Sequence, residues 1–162
     1  MRARIARVVT LIALASTGIV AAGADAKGTI AYKNKTGEFT LTVRHAYVVT
    51  GPDVADPSQT VARLIFSETD LASALQACAS MMCIDSQITE ALVVDITDGP
   101  RLNSWLTLNK GRVQYSGPQP PAALTIKTET ATRIAGALAF DATAAGGPKV
   151  DVVFDAPVIR EL

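Results

Sequence analysis

The stretch Glu38-Phe39-Thr40-Leu41-Thr42-Val43-Arg44-His45-Ala46-Tyr47-Val48-Val49-Thr50 decides the fold class. Phe39, Leu41, Val43, His45, Tyr47 and Val49 fall on one side of a two-residue alternation, and Thr40, Thr42, Arg44, Ala46, Val48 and Thr50 fall on the other. A helix would smear both sets around its circumference, so the pattern predicts a strand over 38–50. Upstream, residues 28–34 alternate Ile30 and Tyr32 against Thr29, Ala31 and Lys33, and Lys35-Thr36-Gly37 supplies turn chemistry. The two segments read as an antiparallel hairpin.

Downstream, Pro52, Asp53, Asp56 and Pro57 break the alternation, and residues 51–59 read as a surface loop. A strand follows at 61–67. Then the period changes. Ser67-Glu68-Thr69-Asp70 has the form of a helix start, and Leu71, Leu75, Cys78 and Met82 recur at spacings of four, three and four, which predicts one helix from about 69 to 79. Strand character returns at 87–97, and a second hairpin joins 102–108 to 112–116 through Asn109-Lys110-Gly111. Gly117-Pro118-Gln119-Pro120-Pro121 lacks three ladder donors and reads as a rigid connector. Three further strands are expected at 123–130, 133–141 and 150–156. Eight or nine short strands around one inserted α-helix describe a mainly β domain, an antiparallel β-sandwich or a partly open barrel.

The first 26 residues read as an export signal. Arg2, Arg4 and Arg7 precede an uncharged apolar run from Val8 to Val20, and Ala24-Asp25-Ala26 has the small residues of a cleavage site. The apolar run is about 13 residues, short of the ~20 that span a bilayer as a helix. The expected product is residues 27–162, a single domain, exported to the periplasm or the extracellular space. It carries 12 basic and 14 acidic residues, because the leader removes three arginines and Asp25. With a formal charge of −2 and no Lys/Arg-rich patch, nothing supports nucleic-acid binding. No later segment reaches 18 apolar residues, so no membrane span is expected in the mature chain.

Cys78 and Cys83 are the two cysteines, and in an oxidising compartment they are expected to pair. In a continuous helix, residues five apart lie ~8.6 Å apart at Cα, whereas a disulfide tolerates up to ~7 Å. The helix must therefore end or tighten between them. A bridge closing so short a loop stabilises by about 2 kcal/mol. An alternative uses Cys78, Met81, Met82 and Cys83 as four soft sulfur ligands for Cu(I), which would make the protein a periplasmic copper-binding protein.

His45 is the single histidine, which excludes zinc sites and blue-copper sites built on two imidazoles. It is expected either in the core or lining a ligand pocket with Tyr47. A hydrolase would need an acid/base pair around His45 with Ser67 or Ser104, and no G-x-S-x-G motif is present. Asp53, Asp56, Asp95 and Asp98 lack calcium-loop spacing and read as solvated loop charges, while Asp151 and Asp155 read as outward charges on the last strand. Trp105 alternates with Asn103 and Thr107, opposite the leucines of its strand, which makes it a candidate contact surface; coverage of that face by the helix or a second sheet is the expected arrangement.

The segments Leu41-Thr42-Val43-Arg44-His45-Ala46-Tyr47, Arg63-Leu64-Ile65-Phe66-Ser67-Glu68-Thr69-Asp70-Leu71 and Val152-Val153-Phe154-Asp155-Ala156-Pro157-Val158 resemble small exported bacterial proteins of no assigned activity. The resemblance implies an exported β-rich domain and carries over no catalytic residue. Together these readings point to an exported, non-catalytic binding or interaction module without cofactor, whose partner is an unidentified small ligand or protein. A sheet face or the 51–59 loop would carry the contact.

Overall fold

A computed structural model describes residues 25–97, 99 and 101–162. The expected leader therefore lies outside the described residues up to position 24. Asp25 and Ala26 already belong to the first strand, where they pair with Asp155 and Phe154.

The chain is mainly β. It runs β1 (Asp25–Asn34), β2 (Gly37–Val43), β3 (His45–Pro52), β4 (Thr60–Ser67), α1 (Ala72–Gln76), α2 (Met81–Gln87), β5 (Ala91–Ile96), β6 (Leu102–Leu108), β7 (Arg112–Gln119), β8 (Leu124–Thr130), β9 (Arg133–Asp141) and β10 (Lys149–Glu161). Eight strands form one curled open sheet in the order β2-β1-β10-β3-β4-β5-β6-β7, and β9 and β8 branch from β10. The partly open barrel is thus the observed form, with ten strands where eight or nine were expected.

The hinge of the architecture is β10. Its first part, from Lys149 to Asp155, lies between β1 and β9, antiparallel to both. Its end, from Val158 to Glu161, runs parallel to β3, with a register irregularity between Val158 and Arg160. One strand therefore belongs to both halves of the sheet, and Asp151 is an exposed, outward charge on an interior strand. Asp155 instead pairs with Arg133 of β9.

A second corner sits at Arg44. Leu41 and Val43 of β2 face the main core, and so do Ala46 and Val48 of β3, while Tyr47 and Val49 face away from it. The inward parity flips from odd to even because Arg44 stands outside both strands and the chain passes there from one half of the sheet to the other. The expected single strand over 38–50, with His45 and Tyr47 beside Val43, is thereby corrected.

The two halves of the sheet close on the main core. It takes Ile30, Leu41, Leu138, Val152 and Phe154 from one half and Val48, Leu64, Phe66, Leu92 and Leu106 from the other. Phe66 and Phe154 meet edge to face at 5.2 Å between ring centroids. At the rim, the Tyr32 hydroxyl donates to the Gln114 carbonyl at 2.9 Å and draws β1 toward β7.

The opposite face of β3, β4 and β5 is buried too, under α1 and α2, in a second core of Tyr47, Val49, Ile65, Leu75, Met81, Ile84 and Val93. Burial on both faces explains why β4 and β5 read as near-continuous apolar runs. It also required covering material from the 69–87 segment. That segment folds as two short helices instead of one, because the chain turns at Ala77 to Ser80 and Ser80 Oγ accepts from the Cys83 amide at 3.2 Å to start α2. The break is what the disulfide requires: Cys78 and Cys83 are bonded, with their Cα atoms 5.4 Å apart. The helix stripe shifts accordingly, with Met81 buried and Met82 exposed. The 117–121 connector is corrected as well, since Pro118 pairs with Asn103 inside β7. That strand is hydrogen-bonded on one side only, where a proline costs no ladder donor.

Candidate functional site

The two helices do not cover the full width of the outer sheet face. Past α2 the surface of β6 and β7 stays open, and a cavity of about 730 Å³ forms between the β3–β4 loop, α2 and these strands. Cross-strand register places its residues in two rows. Arg63, Asp95, Asn103 and Pro118 are successive partners across β4, β5, β6 and β7, and Ile65, Val93, Trp105 and Ser116 form the adjacent row. The rows belong to one face because they are two positions apart on each strand.

The floor is a buried ion network. The Arg63 guanidinium, 4% exposed as a residue, donates from Nε and Nη2 to the two carboxylate oxygens of Asp95, each at 2.8 Å. Nη1 donates to Asp85 Oδ1, and the guanidinium carbon lies 4.7 Å from the Trp105 ring centroid. This bidentate, stacked geometry suits arginine and not lysine. Burial alone would lower the Arg63 pKa, but hydrogen bonding to Asp95 and the charges of Asp95, Asp85 and Asp53 outweigh it and raise the value above the ordinary one. For Asp85 the balance is reversed: burial pushes its carboxyl up, the Arg63 charge opposes this, and Asp95 adds to the rise. Asp85 forms the open end of the network, its side chain 42% exposed beside the buried Arg63.

The rim comes from the β3–β4 loop. Asp53 Oδ1 accepts from the amides of Ala55 and Asp56 at 2.6 and 3.3 Å, and Asp56 Oδ1 accepts from Ser58. These local turns shape the loop and hold Asp53 and Val54 over the cavity. Val54 and Val113, on opposite sides of the opening, are 53% and 59% exposed.

Asp95, read from sequence as a solvated charge, is therefore a buried partner at the floor of this cavity. Arg63 and Asp85 escaped the sequence reading. The available signal was the lone arginine within Val61-Ala62-Arg63-Leu64-Ile65-Phe66, because a cation in an apolar strand must be paired. Trp105 is half-covered by Arg63 and the second core, and the rest of its ring lines the cavity as contact surface.

The other singled-out residues lie elsewhere. His45 is half-buried at the start of β3, its ring parallel to that of Tyr47 with centroids 6.2 Å apart. The Tyr47 hydroxyl donates to Asp70 Oδ1 at 2.6 Å and accepts from the Leu71 amide at 3.1 Å. Asp70 Oδ1 in turn accepts from the Ala72 amide at 2.9 Å. This chain ties the start of α1 to the sheet. The Tyr47 bond and the Ala72 amide together lower the Asp70 pKa. Ser67 pairs with His45 in the β3–β4 register, yet its hydroxyl donates to the Glu90 carbonyl and accepts from the Thr69 amide.

Tyr47 is pushed up to about 12, by burial first and then by its bond to Asp70. Absorbance titration should show a tyrosine that ionises near pH 12 and is missing in Tyr47→Phe. The folded state holds this proton more tightly than an unfolded tyrosine of pKa ~10. The associated stability is complete below pH ~10 and is lost as pH rises toward 12. A titration identical in the variant would refute the assignment.

With both sulfurs in one bond, Cys78 and Cys83 offer no thiolate, and Met81 is enclosed by the second core. Among the described residues no group of three or more His, Cys, Asp or Glu is placed to hold a metal ion. No helix of the described residues is long and apolar enough to cross a membrane. The chain matches no protein family, no curated protein and no solved structure.

Proposed function

We propose that the protein is an exported, non-catalytic binding module whose ligand enters the cavity between the β3–β4 loop, α2 and the β6–β7 face. One observation carries this reading: a concave opening with an aromatic wall and two exposed valines stands over a buried ion network that has already met its desolvation cost. Rigid polar groups at the base of a partly apolar pocket orient a ligand without reorganising, which is what a binding site needs. The β3–β4 loop contributes the rim, in keeping with a contact carried by residues 51–59. The disulfide is compatible with export.

Trp105 is the sole tryptophan, so its emission reports on this cavity directly. Titration of a fragment library should yield compounds that shift Trp105 emission, and the same compounds should lose their effect in Val113→Arg, where a long side chain fills the mouth. No shift from any fragment, or shifts that persist in the variant, would sink the reading. Cell fractionation tests export in parallel. Processed protein without free thiols outside the cytoplasm is expected, and an unprocessed, reduced cytoplasmic chain would contradict it.

A further inference from the structure

The ionisable residues that line the cavity are Asp53, Asp85 and Asp95 against a single Arg63. Arg63 is fully committed: three of its nitrogens donate to Asp95 and Asp85, and it also lies over Trp105. It has little positive charge left to offer an anion. The carboxylates, by contrast, are in excess. Asp85, whose side chain is 42% exposed, uses Oδ1 on Arg63, and Asp53 uses Oδ1 on its own loop amides. Among the described residues, no hydrogen bond engages the Oδ2 of either. The opening thus presents spare acceptors and an uncompensated negative potential beside aliphatic and aromatic wall.

From this charge complementarity we infer that the cavity takes a small organic cation, an aliphatic amine or guanidinium whose head meets Asp53 and Asp85 while its stem lies along Val54, Val113 and Trp105. The inference rests on the binding-module reading and names its ligand class. A carboxylate or phosphate ligand would enter a cavity where three carboxylates share one guanidinium. A neutral apolar ligand would leave them facing a water-poor wall without a donor.

Pentylammonium, neutral 1-pentanol and pentanoate, titrated against the disulfide-bonded protein at 20 mM salt with Trp105 emission as readout, separate the possibilities. Pentylammonium should shift the emission where pentanoate does not, and should bind several-fold more weakly at 300 mM salt. Asp53→Asn keeps the acceptor for the loop amides and removes one charge, so it should weaken pentylammonium about two- to fivefold. Pentanol or pentanoate matching pentylammonium, or pentylammonium binding indifferent to both salt and Asp53→Asn, would overturn the cationic assignment and leave the site standing. Silence from all three compounds, with library fragments still shifting Trp105, would overturn it equally. Silence from the whole library is the separate result that removes the site itself.

Discussion

Replacing Arg63 with leucine should lower the unfolding free energy by about 3–5 kcal/mol, because it leaves the carboxylate of Asp95 buried without its cation. Asp95 is 7% exposed and both its oxygens bind the lost guanidinium, so its charge is left without the donors that compensate its burial. Arg63→Lys should recover only part of the loss, since an ammonium cannot supply two parallel donors to Asp95, a third to Asp85 and a planar face to Trp105. The double variant Arg63→Leu/Asp95→Leu should be more stable than the single one, because it removes the orphaned charge together with its partner. Urea unfolding of the three variants provides the check. A double variant no more stable than Arg63→Leu would show that the pair is not the coupled unit described.

The second large effect is expected at Phe66. Truncation to alanine removes a fully buried ring that contacts Phe154 from the other half of the sheet, and such deletions cost about 3–5 kcal/mol. Phe66→Leu preserves more of the volume and should cost less. A double-mutant cycle with Phe154→Leu should return a coupling of about 0.5–1.5 kcal/mol for the edge-to-face pair. If Phe66→Ala unfolds within the ±0.5 kcal/mol typical of surface changes, the two halves do not share the core described.

The strands were legible because alternation survives wherever one face meets water: β6 and β9 match their expected spans, and β1 starts three residues before its own. Legibility failed where both faces are covered. In β3, β4 and β5 most positions are apolar for one core or the other, so periodicity carries little information about which residue faces which. The parity flip at Arg44 is invisible for a related reason, as a corner that exchanges sheets leaves the apolar rhythm intact while inverting its meaning. The broken helix was recoverable from Cys78 and Cys83, whose spacing forbids a continuous turn, though not the exchange of Met82 for Met81 that the break causes. Of the cavity, the sequence showed the loop and Trp105. The ion network stayed hidden because Arg63, Asp85 and Asp95 are joined by strand register and helix docking, which no local spacing encodes.

The placement of β10 has a consequence for the order of assembly. The thirteen residues that weld both halves of the sheet come last in the described chain, and their partners are β1, β9 and β3, two of which lie more than a hundred positions earlier. Until that ribbon docks, β1 lacks one neighbour and β3 lacks its bridge to the other half. Such late-closing, far-reaching pairings make for slow folding.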